Sequence, residues 1–307
     1  MQPLILDNKD LRILNLLARN GRLSYRNVAR TIGMTTKSVK SRVDKMISEK
    51  VIERFIILIN PSILGYKTIC NFVVRKDLLK QELMERIRLV GDIHYQFGVM
   101  GGVEGFILMV REGSEEKVEL LLDSLKPAIL GVTVQRCNYQ KMSANITITD
   151  YHILRQLVYN PRMEISEIGK AISTSSKTVR RRLEKMHERN HLLDFTMLPN
   201  PNAMKGQILF FLSVKVEREM YNEILEKIFD QMHNHIIISL MTYDQEKKMI
   251  GLNLATEDVF KIEAIRSNVQ SLKGVREANV FLPIRIQYNE DIIIKSIEKQ
   301  ITIMEQG

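Results

Sequence analysis

A tandem repeat constrains the fold of this chain more than any other feature of its 307 residues. Residues 10–61 align with residues 150–201 at a constant offset of 140, without a gap. Sixteen of the 52 aligned pairs are identical. The same helix signals, turn signals and charges therefore occur twice. The chain is predicted to contain two copies of one helical module, each followed by a further folded segment.

The most informative part of each repeat is a short basic helix, predicted over residues 35–46 and 175–186. Each has an apolar stripe at helical spacing, formed by Val39, Val43 and Met46, and by Val179, Leu183 and Met186. Thr35 is placed to cap the first helix, because its side-chain oxygen can accept N–H groups of the first turn. A helix with one buried face and one short basic face fits the major groove of DNA.

The excess positive charge lies in the repeated helical segments. The net charge is +9, from 45 Lys+Arg and 36 Asp+Glu. Residues 1–65 carry +7 and residues 141–205 carry +5, whereas residues 66–140 are neutral and residues 206–307 carry −3. This distribution predicts polyanion binding by the two helical segments alone.

The composition argues against a membrane or secreted protein. No apolar run approaches the ~20 residues of a membrane span, and the start has neither the basic segment nor the apolar run of a signal peptide. Cys70 and Cys137 lie in strand-like stretches outside any C-x-x-C pattern. We interpret them as reduced, buried thiols rather than a disulfide. We therefore expect a cytoplasmic protein.

Four strings of residues follow one another in the first half, namely L-D-N-K-D-L-R-I-L, R-L-S-Y-R-N-V-A-R-T-I-G-M-T, V-I-E-R-F and I-N-P-S-I-L-G-Y. With these strings in this order, the first half resembles the Lrp/AsnC family of regulators. The second half is similar more loosely. Lys50 departs from the family, which usually has glycine at the end of the third helix, and Asn190 takes this place in the second copy. Asparagine tolerates the left-handed conformation of such an end better than lysine does.

The predicted fold class is α+β, with two winged helix-turn-helix domains alternating with two ferredoxin-like domains. In each helical segment, three helices and then a strand pair predict the winged form. A βαββαβ order follows each time and resembles the family's effector-binding and dimerisation domain. The predicted domains are residues 1–65, 66–143, 144–205 and 206–288, with a C-terminal amphipathic helix over residues 289–307.

The resemblance and the basic helices together predict a sequence-specific DNA-binding transcriptional regulator. The candidate DNA-binding residues are Thr36, Lys37, Lys40, Ser41, Arg42 and Lys45, and Ser176, Lys177, Arg180, Arg181, Arg182 and Lys185. Of these, Arg42, Lys45, Arg182 and Lys185 are expected at phosphates. The candidates for base edges are Lys37, Lys40 and Ser41, and Lys177, Arg180 and Arg181. The ordinary alternative is a solvated charged face, and an architectural DNA-coating protein is a second one. Because the copies differ at the predicted base contacts, we expect an asymmetric operator.

A glycine-rich stretch is the candidate effector site. Gly98, Gly101, Gly102 and Glu104 are similar to the family's stretch where small ligands approach the backbone, with Glu104 where aspartate is usual. The resemblance implies an amino-acid-like effector. The alternative is a flexible hairpin turn, which glycine provides without any ligand. The corresponding second loop, residues 243–247, has no glycine.

Enzyme interpretations find little support, and no metal or cofactor is predicted. The string H-E-x-x-H at residues 187–191 needs both histidines on one face of an unbroken helix, but it coincides with the end of the third helix. Siroheme decarboxylases share the two-module architecture, and Ile93-His94-Tyr95 is similar to their histidine strand. Their second histidine and their tryptophan are missing, and the chain has no Trp.

The sequence leaves open both the packing partner of the C-terminal helix and whether the sheets pair within one chain or across two chains. Ile294, Ile297, Ile301 and Met304 predict an apolar helix face, docked on its own domain or on a second chain. The family forms dimers by packing its sheets together. A fused chain can form this dimer within itself, at a millimolar effective concentration for short flexible linkers, with pairing across two chains as the alternative.

Overall fold

The computed structural model describes residues 4–79, 81–111, 113–136, 146–232, 236–238 and 248–306. The chain forms two compact units, each made of two separate segments: Met1–Arg54 with Thr196–Arg285, and Phe55–Phe195 with Ile286–Gly307. Each unit combines the helical module of one repeat with most of the sheet segment of the other. The units therefore cut across the order of segments that we predicted along the sequence.

The first helical module consists of α1 (Asn8–Arg19), α2 (Tyr25–Ile32) and α3 (Thr36–Ser48). Asp7 caps α1 in a reciprocal capping box with Asp10. Ser24 caps α2, and Thr35 caps α3 by accepting the N–H of the third helical residue. Gly33 ends α2 with a φ of 71°, a left-handed conformation that glycine adopts without strain. The predicted cap at Thr35 is confirmed.

The first sheet follows a single strand, β1 (Ile52–Ile59). Its elements are β2 (Tyr66–Arg75), α4 (Gln81–Val90), β3 (Asp92–Val99), β4 (Val103–Arg111), α5 (Glu115–Leu125) and β5 (Ile129–Arg136). The strands lie in the order β3–β4–β2–β5, and the predicted βαββαβ order is confirmed. Cys70 is a free, buried thiol on β2, and burial raises its pKa to about 12. Cys137 lies outside the described residues.

The second helical module repeats the first. It consists of α6 (Ile148–Tyr159), α7 (Ile165–Ala171) and α8 (Ser176–Glu188), and it is followed by the strand β6 (Leu192–Pro199). Thr147 and Asp150 form the capping box of α6, where the first module has Asp7 and Asp10. Ser175 caps α8. The same local chemistry therefore sets the start of the first and third helices in both copies.

The second sheet has the same strand order with one difference at its end. Its elements are β7 (Ile208–Val216), α9 (Tyr221–Met232), β8 (Ile236–Ile238), β9 (Met249–Thr256), α10 (Val259–Gln270) and β10 (Val275–Phe281), with the strands ordered β10–β7–β9–β8. The last strand of this βαββαβ segment ends at Phe281, and a separate strand, β11 (Pro283–Tyr288), joins the first sheet beside β3. Pro283 has no N–H to continue a ladder.

Neither wing strand forms the predicted pair with a strand of its own module. β1 pairs instead with β6, the equivalent strand of the other repeat, in a two-stranded sheet. The Asn60 N–H donates to the His191 carbonyl over 2.9 Å, and the Asn200 N–H donates to the Val51 carbonyl over 3.1 Å. The wing strand of one copy therefore completes that of the other.

The C-terminal helix, α11 (Glu290–Gln306), docks within the chain, in the second of the two units. Ile293, Ile297 and Ile301 are buried in one cluster with residues of α6 and with Tyr66 of β2. The predicted stripe is shifted, since Met304 is exposed and Ile293 is buried. Within the chain, α11 packs on the second helical module and the first sheet rather than on its own sheet segment.

Replacing Ile297 by alanine is expected to destabilise the chain by about 2–5 kcal/mol, because a fully buried isoleucine leaves a cavity when it is truncated. Ile303 is on the same helix but is 52% exposed, so Ile303→Ala should change stability by less than about 0.5 kcal/mol. Urea denaturation of the full chain measures both. Equal effects of the two substitutions would contradict the docking of α11.

Candidate nucleic-acid interface

The recognition helix of the first module, α3, presents the predicted face to solvent. Val39, Val43 and Met46 are fully buried beneath it. The exposed residues are Thr36, Lys37, Lys40, Ser41 and Lys45. The apolar stripe therefore fixes which side of the helix faces outward, and that side is basic.

The recognition helix of the second module, α8, has the same orientation. Val179 and Met186 are buried and Leu183 is partly buried. The exposed residues are Ser176, Lys177, Arg180, Arg181 and Lys185. At two successive positions this helix presents Arg180 and Arg181, where α3 presents Lys40 and Ser41. The two faces thus have the same placement but different donors.

Arg42 is held by the first module itself. Its Nη1 lies 2.7 Å from Asp10 Oδ1 and 2.9 Å from Asp7 Oδ2, so one guanidinium nitrogen contacts both members of the α1 capping box. Burial alone would raise the pKa of Asp7. Hydrogen bonds from the Asp10 N–H and from Arg42 outweigh burial and lower the pKa of Asp7 below its ordinary value. The contact connects the flank of α3 to the start of α1.

Arg182 makes the corresponding contact with only one carboxylate. Its Nη1 lies 2.7 Å from Thr147 Oγ1 and 3.1 Å from Asp150 Oδ1. The Thr147 hydroxyl in turn donates to Asp150 Oδ2 over 2.8 Å. We predicted Arg42 and Arg182 only as phosphate contacts. Their intramolecular role was missed, although the sequence placed an arginine at the same position of both copies and an acidic capping residue in each.

The ends of the recognition helices have left-handed residues in both copies. Lys50 has a φ of 60° and Asn190 has a φ of 56°, as the position of the family's glycine implies. Ser173 also has a positive φ, 54°, at the position that Gly33 holds in the first module. We did not predict this strain, but the gapless alignment places Ser173 opposite that glycine.

The H-E-x-x-H string does not lie on one helix. α8 ends at Glu188, and His191 is buried immediately before the following strand, where its N–H donates to the Met186 carbonyl over 2.8 Å. The unbroken helix that the zinc pattern requires is therefore interrupted. The described residues contain no group of three or more His, Cys, Asp or Glu placed to hold a metal ion. His233 and His235 lie outside the described residues.

The candidate effector residues occupy the β3–β4 hairpin of the first sheet. Gly98 lies directly opposite Glu104 in the strand register. Glu104 is buried, and its Oε1 accepts a hydrogen bond from Gln96 Nε2 over 2.7 Å. Gly101 and Gly102 form the exposed turn with φ of 89° and 76°. The positive φ values fit the hairpin-turn interpretation, and residues 243–247 of the second copy lie outside the described residues.

His94 belongs to an aromatic cluster. Its ring centroid lies 4.6 Å from that of Tyr95 and 5.1 Å from that of Tyr288. Burial lowers the pKa of His94 well below its ordinary value, and its Nδ1 is buried without a hydrogen-bond partner among the described residues. Its side chain is therefore neutral and packed, next to the point where β11 joins the sheet.

Two helix-turn-helix modules with exposed basic recognition helices define a DNA-binding protein of tandem architecture. A model of the AsnC-type helix-turn-helix domain matches residues 6–47 and 146–187, which are the two modules. An uncharacterized HTH-type transcriptional regulator of Pyrococcus furiosus is 32% identical over 122 residues, which are 39% of this chain and 82% of that protein. The chain belongs to the AsnC/Lrp family of transcriptional regulators.

Two solved structures resemble the chain more distantly. The siroheme decarboxylase NirDL aligns with 97% of this chain and 100% of its own, at 13% identity and a TM-score of 0.48. Escherichia coli AsnC aligns with 47% of this chain and 93% of its own, at 17% identity and a TM-score of 0.31. Within the described part of the chain, no helix has both the length and the apolar character that crossing a membrane requires.

Replacing Arg42 by methionine is expected to cost about 1–3 kcal/mol of stability at neutral pH, because it leaves the buried Asp10 and the nearby Asp7 without their shared cation. Arg182→Met should cost less, because only one carboxylate loses its partner. Urea denaturation of both variants measures the two losses of stability. A larger loss in Arg182→Met than in Arg42→Met would contradict these intramolecular contacts.

The loss of stability that Arg42→Met causes, relative to the wild-type chain, should depend on pH. The pKa of Asp7 is lowered in the folded chain, so its contribution is present above the unfolded value of about 4 and is lost as the pH falls through the folded value. The difference in the free energy of unfolding between the wild-type chain and Arg42→Met should therefore become smaller as the pH is lowered below about 4.

Proposed function

We propose that the chain regulates transcription by binding double-stranded DNA through the exposed faces of α3 and α8, with two non-identical recognition helices per chain. The observation that carries this proposal is that the same basic face stands on the same buried stripe in both modules, within a chain whose excess charge is concentrated there. A merely solvated charged face would not explain why both modules have a basic exposed face at the same positions of the recognition helix.

The side chains divide into two roles. Lys37, Lys40 and Ser41 of α3, and Lys177, Arg180 and Arg181 of α8, project from the exposed face and contact base edges in the major groove. Thr36, Ser176, Lys45 and Lys185 contact the phosphate backbone. Arg42 and Arg182 are already engaged within their modules, so their main contribution is to position the recognition helices, with any phosphate contact added to that.

The two helices prefer different base sequences. Arginine has a planar guanidinium that can bind guanine through two hydrogen bonds, whereas lysine is a flexible point charge. Arg180 and Arg181 therefore favour a guanine-rich half-site more strongly than Lys40 and Ser41 do. The operator is asymmetric, and selection from a random DNA library should return two distinct half-sites. Recovery of perfect palindromes alone would contradict this.

Two double substitutions test the interface. Lys37→Ala with Lys40→Ala, and Lys177→Ala with Arg180→Ala, should each weaken binding to the selected operator by about 30-fold or more, since each of the two base contacts is worth about 1–3 kcal/mol. Fluorescence anisotropy at fixed salt measures the dissociation constants. The chain's own upstream DNA is the first natural fragment to try in a gel shift.

The control for these variants removes the same charge elsewhere. Lys117→Ala with Lys273→Ala takes one exposed lysine from each sheet segment and should change operator affinity by less than about threefold. An equal loss in the control would indicate a general charge effect. Operator and random DNA binding within about tenfold of each other would indicate an architectural protein instead of a sequence-specific regulator.

The effector, the assembly and the location belong to the same proposal. The β3–β4 hairpin with Gly98, Gly101, Gly102 and Glu104 is the candidate site for an amino-acid-like effector, and thermal-shift screening with amino acids tests it. The chain is cytoplasmic and forms its dimer-like core within one molecule. Light scattering after size exclusion distinguishes that monomer from a dimer of chains.

A change of tetrapyrrole absorbance on mixing with the chain would favour the alternative function, that of a siroheme-decarboxylase-like enzyme.

A further inference from the structure

The C-terminal helix α11 contacts two parts of one compact unit, the first sheet and the second helical module. Toward the sheet, Ser296 Oγ lies 2.9 Å from the Tyr66 hydroxyl and 3.0 Å from Arg111 Nη2. Ser296 and Tyr66 are fully buried. Just before the helix, the Asn289 N–H donates to the His94 carbonyl of β3 over 3.0 Å. One side of α11 is therefore attached to the sheet by directional contacts.

The other side of α11 contacts α6, the first helix of the second module. Ile297 is buried in one cluster with Tyr151 and Leu154 of α6. Arg155 Nη1 lies 3.3 Å from Glu298 Oε1, and both of these side chains are partly exposed. The apolar cluster supplies most of the attachment, because a partly exposed ion pair is weak. The ion pair is directional, however, and the apolar cluster is not.

The first module does not have the same contact surface. At the constant offset of 140, Leu11 and Asn15 of α1 stand at the positions of Tyr151 and Arg155. Tyr151 donates its hydroxyl hydrogen to the Ile63 carbonyl over 2.6 Å, and Arg155 supplies the cation of the ion pair with α11. Leucine has no hydroxyl group and asparagine has no charge. The surface that α11 contacts is therefore specific to the second module.

We propose that α11 is a positioning element for the second recognition helix, which it serves by holding the second module at a fixed angle to the first sheet. This inference rests on the proposed function. A module joined only by a flexible segment has an effective concentration in about the millimolar range at a second half-site, and holding it in the geometry that binding requires raises this value. α11 thus increases the affinity for an operator with two half-sites, but not the affinity for a single half-site.

Two substitutions loosen α11, one on each of its sides. Ser296→Ala removes both hydrogen bonds to the sheet with a small change of volume. Arg155→Asn removes the ion pair with Glu298 and gives α6 the residue that the first module has. The control, Lys299→Asn, removes the same charge from an exposed position of α11. All variants are made in the full chain, and urea denaturation verifies that each one folds. If the double variant does not fold, the two single variants replace it.

The measurement compares three duplexes at fixed salt, namely the selected operator and two versions in which one half-site is scrambled. The gain is the Kd of the tighter single half-site divided by the Kd of the operator. The double variant Ser296→Ala with Arg155→Asn should lower this gain by about fivefold or more, and it should leave both single half-site Kd values within about twofold of the wild type. Lys299→Asn should leave the gain unchanged.

An unchanged gain in the loosened variants would overturn the proposal. A wild-type chain that binds the operator no more tightly than one half-site would also overturn it, whereas DNA binding by the individual helices would stand. A wild-type chain that binds no duplex would refute the proposed function instead. Hydrogen exchange then decides the role of α11. Faster exchange in α6 of the double variant, with unchanged exchange in α1, supports the restraint of the second module, and any other pattern overturns it.

Discussion

The contact between the recognition helix and the capping box of its module is the interaction on which the geometry of the interface depends. A helix that packs only through a stripe of valine and methionine can rotate by a few degrees or slide, because apolar contacts are not directional. Arg42 and Arg182 add directional, charge-assisted hydrogen bonds at 2.7–3.1 Å from the flank of the helix. The outward face is thereby held at a fixed angle to the rest of its module.

The same contact explains how the two copies diverged without losing their fold. Asp7 and Thr147 both satisfy the N-terminus of the first helix, because either side chain can accept the N–H of the third helical residue. They differ in charge, however. The exchange leaves the cap intact and changes the electrostatics beside the recognition helix. Together with Lys40 and Ser41 against Arg180 and Arg181, it makes two chemically different surfaces on one scaffold.

The sequence predicted the elements that depend on local signals. The cap at Thr35 and the βαββαβ order of the first sheet are confirmed, because caps, periodicity and turn residues act over a few positions. The pairing of β1 with β6 and the transfer of β11 to the first sheet were not predicted. These contacts join residues more than 100 positions apart, and nothing in the local pattern specifies the partner strand.

The candidate site shows the same division. The exposed basic positions followed from helical periodicity, because the buried stripe determines the opposite face. The role of Arg42 was missed, since an arginine on a helix flank has the same local pattern whether it meets DNA or a carboxylate of its own module. Only the three-dimensional position of the capping box distinguishes the two.

The docking of α11 requires more than its isoleucine stripe. Ile293, Ile297 and Ile301 repeat every four residues, so apolar burial alone would tolerate a shift by one turn. Ser296 removes this ambiguity, because its Oγ lies 2.9 Å from the Tyr66 hydroxyl and 3.0 Å from Arg111 Nη2. The Tyr66 hydroxyl donates in turn to Asp92 over 2.6 Å, and burial raises its pKa, which keeps it a donor. A shifted helix would separate the fully buried Ser296 hydroxyl from both of these partners, so the polar contact selects one register.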